Sequence, residues 1–256
     1  MLNRTLTLIL LSFCILAGCA QNTAKTLAAV IDGQCEYLSS TDLRIQGSIT
    51  DTTLACVKAG TPVSVETLRV DTPGGNVRAA IEIARSFSTR LHIIVEGECN
   101  SSCANYFIPL ADRLTFMPNA IVVLHGSADQ GLVDTSRETL AEKAFAAAVE
   151  THARQAAFVI DYSIHPGWLK TRDKRDYENS SLGKHLEGTV DVDRKLFGTI
   201  VMEYMVVYEP LLRSCFPDLE IEGIEQAGFQ TFKKDTPLRK SLLKKNFVGS
   251  GTLRCI

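Results

Sequence analysis

Residues Val63–Val95 read VSVETLRVDTPGGNVRAAIEIARSFSTRLHIIV, and this stretch decides the fold class. Val63–Val70 is predicted to form a strand, which the turn signal Thr72-Pro73-Gly74-Gly75 closes. Apolar residues then recur at helical spacing, so Asn76–Ser88 is predicted to be an amphipathic helix. Leu91–Val95 is apolar throughout and predicts the next buried strand. A strand, a helix and a strand in this order indicate a parallel unit.

The alternation of strands and helices continues on both sides of this unit. Leu43–Ile49 alternates apolar and polar residues, as a strand with one buried face does, and Asp51 is expected to cap the helix that follows, Thr52–Ala59. After the unit we predict a compact turn, a helix and a strand, at Glu96–Asn100, Ser101–Leu110 and Ala120–Leu124. The predicted fold class is α/β with a mainly parallel sheet.

The pattern changes beyond His125. Residues 139–161 are Ala-rich and predict a long helix, while residues 170–193 are polar and predict an exposed loop. Leu196–Leu212 is apolar enough to predict a helix that packs on the domain. We therefore expect one domain over residues 34–256, with a helical insertion over residues 130–212.

The first eighteen residues are typical of a secretory signal peptide. Arg4 supplies a positive start, and Leu6–Leu16 is an apolar run shorter than the roughly 20 residues that span a bilayer. The run ends in Leu16-Ala17-Gly18-Cys19, which resembles the lipobox of bacterial lipoproteins. The resemblance implies that residues 1–18 are removed as the signal peptide and that Cys19 is acylated.

The lipid on Cys19 would anchor the protein to a bilayer, and residues 19–33 would link it to the folded domain. Ala20 follows the cysteine where an Asp would hold a lipoprotein at the inner membrane of many bacteria with two membranes. We therefore expect the protein in the bacterial cell envelope, at the outer membrane and facing the periplasm.

Charge and cysteine content exclude some classes of function. The formal net charge of the chain is −2, so no nucleic-acid partner is expected. Without Cys14 and Cys19, six cysteines remain, and an even number in an exported protein predicts disulfides. Six cysteines allow fifteen connectivities, which the sequence leaves open. No Cys-x2-Cys pair with a histidine partner is present, so we expect no zinc and no other cofactor.

Three segments near the ends of predicted elements have residue types that acyl transfer needs. The glycine pair Gly74-Gly75 lets backbone amides approach a ligand and form an oxyanion hole. A serine at a helix start, Ser101 or Ser102, presents its hydroxyl where the helix N-terminus adds positive potential. His125, directly after a predicted strand, can act as a general base.

These segments together resemble the proteolytic subunit of Clp protease and its periplasmic relatives, in the Clp protease/crotonase superfamily. Thr72-Pro73-Gly74-Gly75 matches the family's Ser-Pro-Gly-Gly motif. Met117-Pro118-Asn119 followed by His125 matches its Leu-Pro-Asn motif and catalytic histidine. Cys99-Asn100-Ser101-Ser102-Cys103 matches the Cys-x-Ser-x-Cys of the periplasmic relatives. The resemblance covers residues 42–126 well.

The resemblance implies a spiral of repeated β-β-α units and a serine peptidase that acts on a protein or peptide. Ser101 would attack, with Ser102 as the alternative nucleophile, and His125 would take the proton. The amides of Gly75 and Ser102 would hold the oxyanion. Cys99 and Cys103, four residues apart near a helix start, are close enough to be bridged. The family forms rings, so the resemblance also allows self-association, whereas the helical insertion after His125 could equally well block ring assembly.

The family's catalytic aspartate has no counterpart in this chain. Residues 222–229 faintly resemble the family's later Glu-rich helix, and the aspartate's position then falls on Thr231. Other carboxylates are out of register or follow His125 on a loop: Asp129, Asp134 and Asp235. The acid is therefore unassigned, which motivates an alternative function as a catalytically inactive binding or scaffold module in the periplasm. Acyl-CoA chemistry is disfavoured, because the periplasm offers no CoA pool.

Overall fold

The strands in the described part of the protein form one sheet that is largely parallel. The structure is a computed structural model, and it describes residues 33–88, 90–124, 141–169, 204–228, 230, 247–249 and 255. The strands of this described part are β1 (Gln34–Tyr37), β2 (Asp42–Gln46), β3 (Thr67–Thr72), β4 (Leu91–Asn100), β5 (Ala111–Phe116), β6 (Ile121–Leu124), β7 (Tyr204–Val206), β8 (Glu220–Glu222) and β9 (Phe247–Gly249). Its α-helices are α1 (Asp51–Ala59), α2 (Val77–Ser86), α3 (Ser102–Tyr106), α4 (Glu142–Asp161), α5 (Pro166–Leu169) and α6 (Glu209–Cys215).

Parallel pairing dominates the sheet, as the sequence predicts. β2, β3 and β4 are parallel neighbours, and β4 is also parallel to both β5 and β6. Two pairs are antiparallel, β1 with β2 and β6 with β7. The predicted α/β class with a mainly parallel sheet is confirmed.

The two faces of the sheet differ in polarity. Buried residues of β2 and β3 alternate with half-buried ones and join the same hydrophobic core as the inner faces of α1 and α2. On the opposite face, the Arg69 guanidinium is paired with the Asp42 carboxylate (3.0 Å) and with Glu96 (3.5 Å). Glu96 also pairs with Arg44 (3.1 Å). These ion pairs connect β2, β3 and β4 across the polar face.

The turn predicted over Glu96–Asn100 is wrong, because β4 continues to Asn100. β4 pairs with β5 along its first half and with β6 from Glu98 onward. Its register against β3 shifts between these halves, and there the Asp71 carboxylate accepts the Glu98 N–H (3.0 Å). A side chain at Gly97 would meet the Asp71 carboxylate. This irregularity resembles a turn in sequence but lies within a paired strand.

Three further elements differ from their predictions. The second strand begins at Thr67 rather than Val63, because a 3₁₀ turn over Pro62–Ser64 precedes it. Thr50, not Asp51, caps α1, since its hydroxyl accepts the Thr53 N–H in a capping box. The helix predicted over Ser101–Leu110 is divided into α3 and a 3₁₀ turn, Ile108–Leu110. Four further strands were not predicted from the sequence: β1, β5, β8 and β9.

The helix predicted over Leu196–Leu212 is wrong in its described part. Tyr204–Val206 forms β7, and α6 begins only at Glu209. Pro210 lies in the first turn of α6, where its missing N–H costs nothing, whereas within a longer helix it would remove a hydrogen bond. Residues 170–203, with the predicted loop, lie outside the described residues.

Helices α4 and α5 pack on α3. The Tyr106 hydroxyl donates to Gln155 of α4 (2.7 Å), and the Tyr106 ring meets Phe158 edge to face. The Trp168 indole N–H donates to the Ala104 carbonyl (3.1 Å) and its side chain is 1% exposed. The described part of the insertion is therefore built into the core behind α3. No helix in the described residues is both long and apolar enough to cross a bilayer.

Candidate functional site

The turn between β4 and α3 holds Ser101 in a backbone conformation that residues with a side chain rarely adopt. Its φ is 54° and its ψ is −123°. Such a conformation costs roughly 1–3 kcal/mol and persists only where the surroundings enforce it. The Ser101 N–H donates to the Val123 carbonyl of β6 (3.0 Å), and its carbonyl accepts the Asn105 N–H (2.8 Å). Because strained residues cluster at functional sites, Ser101 is a candidate for chemistry.

Gly74 lies directly against this serine. Its φ is 87°, and a Cβ there would come within 2.7 Å of the Ser101 Cβ and 3.0 Å of the Ser102 nitrogen. A side chain at this position would therefore displace the turn that contains Ser101. The structure thus brings together the glycine pair and the serine turn, which are separated by 25 residues in sequence.

Backbone hydrogen bonds connect the residues around Gly75 to Ile49 without using the Gly75 N–H. The Ile49 N–H donates to the Gly74 carbonyl and the Asn76 N–H donates to the Ile49 carbonyl, both at 2.8 Å. This isolated bridge does not use the Gly75 N–H. Ser102 is the first residue of α3, so its N–H has no acceptor within the helix. Gly75 and Ser102, whose amides are predicted to hold an oxyanion, therefore lie in adjacent segments, and neither amide is used in the bridge to Ile49 or within α3.

The two candidate serines differ in burial. Ser101 is half-buried, whereas Ser102 is 0% exposed. The Ser102 hydroxyl has no hydrogen-bond partner among the described residues. A substrate cannot reach the Ser102 hydroxyl without movement of the helix that carries it. The geometry therefore favours Ser101 as the accessible hydroxyl.

Several predicted site residues lie outside the described part of the chain, namely Cys19, His125, Asp129, Asp134, Thr231 and Asp235. The described strand β6 ends at Leu124, immediately before His125 in sequence. β6 pairs with the last residues of β4, with Val123 opposite Asn100. The end of β6 thus lies beside the turn that contains Ser101.

The Met117-Pro118-Asn119 turn before β6 is held by a segment far along the chain. Asn119 has a φ of 65°, and its N–H donates to the Gln226 carbonyl (2.9 Å). The Gln226 side-chain amide donates to the Phe116 carbonyl (2.9 Å). A Cβ at Gly228 would clash with the Asn119 carbonyl. The segment that only faintly resembled the family therefore supports the strand that leads to His125.

The six cysteines of the predicted mature chain are paired. The structure joins Cys35 with Cys56, Cys99 with Cys103 and Cys215 with Cys255. The first and third pairs connect segments that are 21 and 40 residues apart. The second spans the Ser101 turn. No group of three metal-binding side chains is found in the described residues.

A second polar cluster involves His92, the second residue of β4. Its Nε2 lies 2.8 Å from the Thr115 hydroxyl, which donates to the Glu222 carboxylate (2.8 Å). Since the single hydroxyl proton goes to Glu222, His92 is the donor in the first bond. Burial, followed by repulsion from Arg113, lowers the pKa of His92. The hydrogen bond from Thr115 lowers the pKa of Glu222.

Comparison with known proteins adds little to this geometry. The sequence matches no family model and no curated protein. Among solved structures, a mutant of ClpP1 from Listeria monocytogenes matches with a TM-score of 0.34 and 13% sequence identity. The match covers 48% of this chain and 72% of that chain. At that TM-score the likeness carries no argument about function, which must be argued from the site.

The lowered pKa of His92 predicts a pH dependence of stability. The unfolded chain binds a proton at His92 below about pH 6.5, where the folded chain does not yet bind it. The free energy of unfolding should therefore fall as the pH drops from about 6.5 to the folded pKa, and level off below it. Urea unfolding of wild type and His92→Gln across this range measures the effect, because other histidines contribute equally to both. Parallel pH profiles would show that His92 is not responsible.

Proposed function

We propose that the protein is a serine hydrolase, and specifically a peptidase, anchored in the bacterial envelope by a lipid on Cys19 and facing the periplasm. The observation that carries the proposal is the strained Ser101, presented at a strand-to-helix turn against the Gly74-Gly75 pair. A serine hydroxyl beside two backbone amides is the arrangement that acyl transfer requires. The fold we propose is the Clp protease/crotonase spiral of β-β-α units.

In the proposed mechanism the Ser101 hydroxyl oxygen attacks a peptide carbonyl carbon while His125 takes its proton. The carbonyl oxygen becomes an oxyanion, which accepts hydrogen bonds from the amides of Gly75 and Ser102. Collapse of this intermediate breaks the C–N bond, and the proton on His125 passes to the leaving amine. Water then hydrolyses the acyl-enzyme by the same sequence of steps.

The choice of Ser101 as nucleophile is supported by exposure. Its neighbour Ser102 is fully buried, so Ser102 would contribute its backbone amide rather than its hydroxyl. The choice of His125 is supported by chain connectivity, because β6 ends one residue before it and is paired with the residue that precedes Ser101.

The orienting acid is not assigned in this proposal. An aspartate that holds the histidine can be replaced by a backbone carbonyl or a water at some loss of rate. We therefore expect a slow hydrolase rather than an efficient one. Self-association is a further prediction, which an oligomeric-state measurement would test.

The envelope location is supported by the three disulfides. Disulfides persist in oxidising compartments and are rare in the cytosol of most organisms. All six of the paired cysteines follow the predicted lipidation site.

The hydrolase proposal is tested by labelling the purified full-length protein with a fluorophosphonate probe, which reacts with activated serines. Wild type should be labelled and Ser101→Ala should not. His125→Ala should react at least about a hundredfold more slowly, the usual loss when a general base is removed. Ser102→Ala is the matched control and should retain labelling, since it keeps the backbone amide.

Two results would contradict this assignment. Labelling that survives in Ser101→Ala and is lost in Ser102→Ala would make Ser102 the nucleophile. If wild type stays unlabelled under conditions that label a control serine hydrolase, the hydrolase function is contradicted. The alternative function as an inactive binding or scaffold module would then be favoured.

The anchor is tested by Cys19→Ala in cells that are fed a palmitate analogue with a reporter group. Wild type should incorporate the analogue and fractionate with the outer membrane. The variant should lose the reporter, because position 19 no longer has the thiol that takes the lipid. Incorporation that persists in Cys19→Ala would contradict the proposed lipidation site.

A further inference from the structure

The residues that flank the strained serine are joined to each other by a disulfide. Cys99 is the penultimate residue of β4 and Cys103 is the second residue of α3, and their Cα atoms are 5.2 Å apart. Both cysteines are fully buried. The bridge therefore ties the end of the strand to the first turn of the helix, and only Asn100–Ser102 lies between them.

This bridge limits how Ser101 can relax. A change of its φ from 54° to the negative values that serine prefers would rotate all the following residues relative to β4. Cys103 would then move away from Cys99, which the covalent bond prevents. The two backbone hydrogen bonds at Ser101 resist the same rotation, but each can be exchanged for a bond to water at small net cost. The disulfide is thus the strongest single constraint on the turn.

The far end of α3 is held without the bridge. The Trp168 indole donates to the Ala104 carbonyl, and the Tyr106 hydroxyl donates to Gln155. Breaking the disulfide should therefore free the turn that contains Ser101 while the helix stays packed on the core. This separation makes a local effect on reactivity distinguishable from a loss of folding.

We propose that the Cys99–Cys103 disulfide is a positioning element for the nucleophile, so that Ser101 is ready for attack only in the oxidised protein. The proposal rests on the serine hydrolase function argued above. Formation of the bridge removes two electrons and two protons from the two thiols. A disulfide of a partner protein in the envelope takes them up and is reduced to two thiols. A chain that is still reduced before export would therefore be inactive.

The test compares three double variants of the full-length protein: Cys99→Ala/Cys103→Ala, Cys35→Ala/Cys56→Ala and Cys215→Ala/Cys255→Ala. For each, the rate of fluorophosphonate labelling and the unfolding midpoint Tm are measured. The first bridge closes the shortest loop, with a sequence separation of 4 against 21 and 40, so its removal should lower Tm least. It should nevertheless slow labelling about tenfold to a hundredfold, as a misplaced reacting group does. The other two variants should label within about twofold of wild type when assayed below their Tm.

Single variants distinguish the effect of losing the disulfide from the effect of losing the packing of each cysteine side chain. Cys99→Ala and Cys103→Ala each break the same bond, so each should lose as much labelling rate as the double variant. Losses that add in the double variant would instead indicate independent packing effects and would overturn the proposal.

Reduction of wild type gives the same comparison without substitution. A phosphine reductant attacks the disulfide and is converted to its phosphine oxide, with water supplying the oxygen and the two protons that the released thiols take up. The rate of fluorophosphonate labelling should fall in proportion to the fraction of Cys99 and Cys103 that can be alkylated. Peptide mass spectrometry measures that fraction. If oxidised wild type is labelled and its labelling rate is unchanged after this bridge is reduced, the inference is overturned but the hydrolase function is not. If oxidised wild type is not labelled at all, the hydrolase function itself is contradicted.

Discussion

The hydrogen-bonded ladder along β4 is the constraint on which the site depends. β4 is paired with β3 on one edge, and on the other edge it is paired first with β5 and then with β6. A strand with partners on both edges cannot change register without breaking ladder bonds, so the point where it ends is fixed. Ser101 is the next residue, and its N–H joins the ladder by donating to β6. The sheet therefore positions the turn that contains Ser101, and Gly74, two residues after the end of β3, packs against this turn.

Much of the sheet could be predicted from local patterns, because its central elements are periodic. α2 buries five residues at helical spacing, and β2 alternates on a period of two. β5 could not be predicted in this way, since Asp112 and Arg113 are adjacent exposed residues that interrupt any alternation. Its strand conformation depends on pairing with β4 and β8, and β8 is more than a hundred residues away in sequence. Long-range partners of this kind leave no local signal.

Some features of the candidate site could likewise be predicted from the sequence, and others could not. The glycine pair and the serines could be found from their residue types, and their proximity followed from strands that end at one edge of the sheet. The positive φ of Ser101 and the burial of Ser102 could not be predicted from the sequence. Two adjacent serines look equivalent in sequence, and only the packing of the fold makes one of them inaccessible. The same holds for the His92–Thr115–Glu222 chain, whose members lie on three strands. The pairing of Cys35 with Cys56, and of Cys215 with Cys255, likewise depends on tertiary contacts.

The central claim is that Ser101 is a nucleophile held against two oxyanion amides. A crystal structure of the full-length protein after reaction with a fluorophosphonate tests it most directly. The account predicts a bond from the Ser101 Oγ to phosphorus, with the phosphoryl oxygen about 2.7–3.1 Å from the amide nitrogens of Gly75 and Ser102. An adduct on another residue, or a phosphoryl oxygen directed away from both amides, would contradict it.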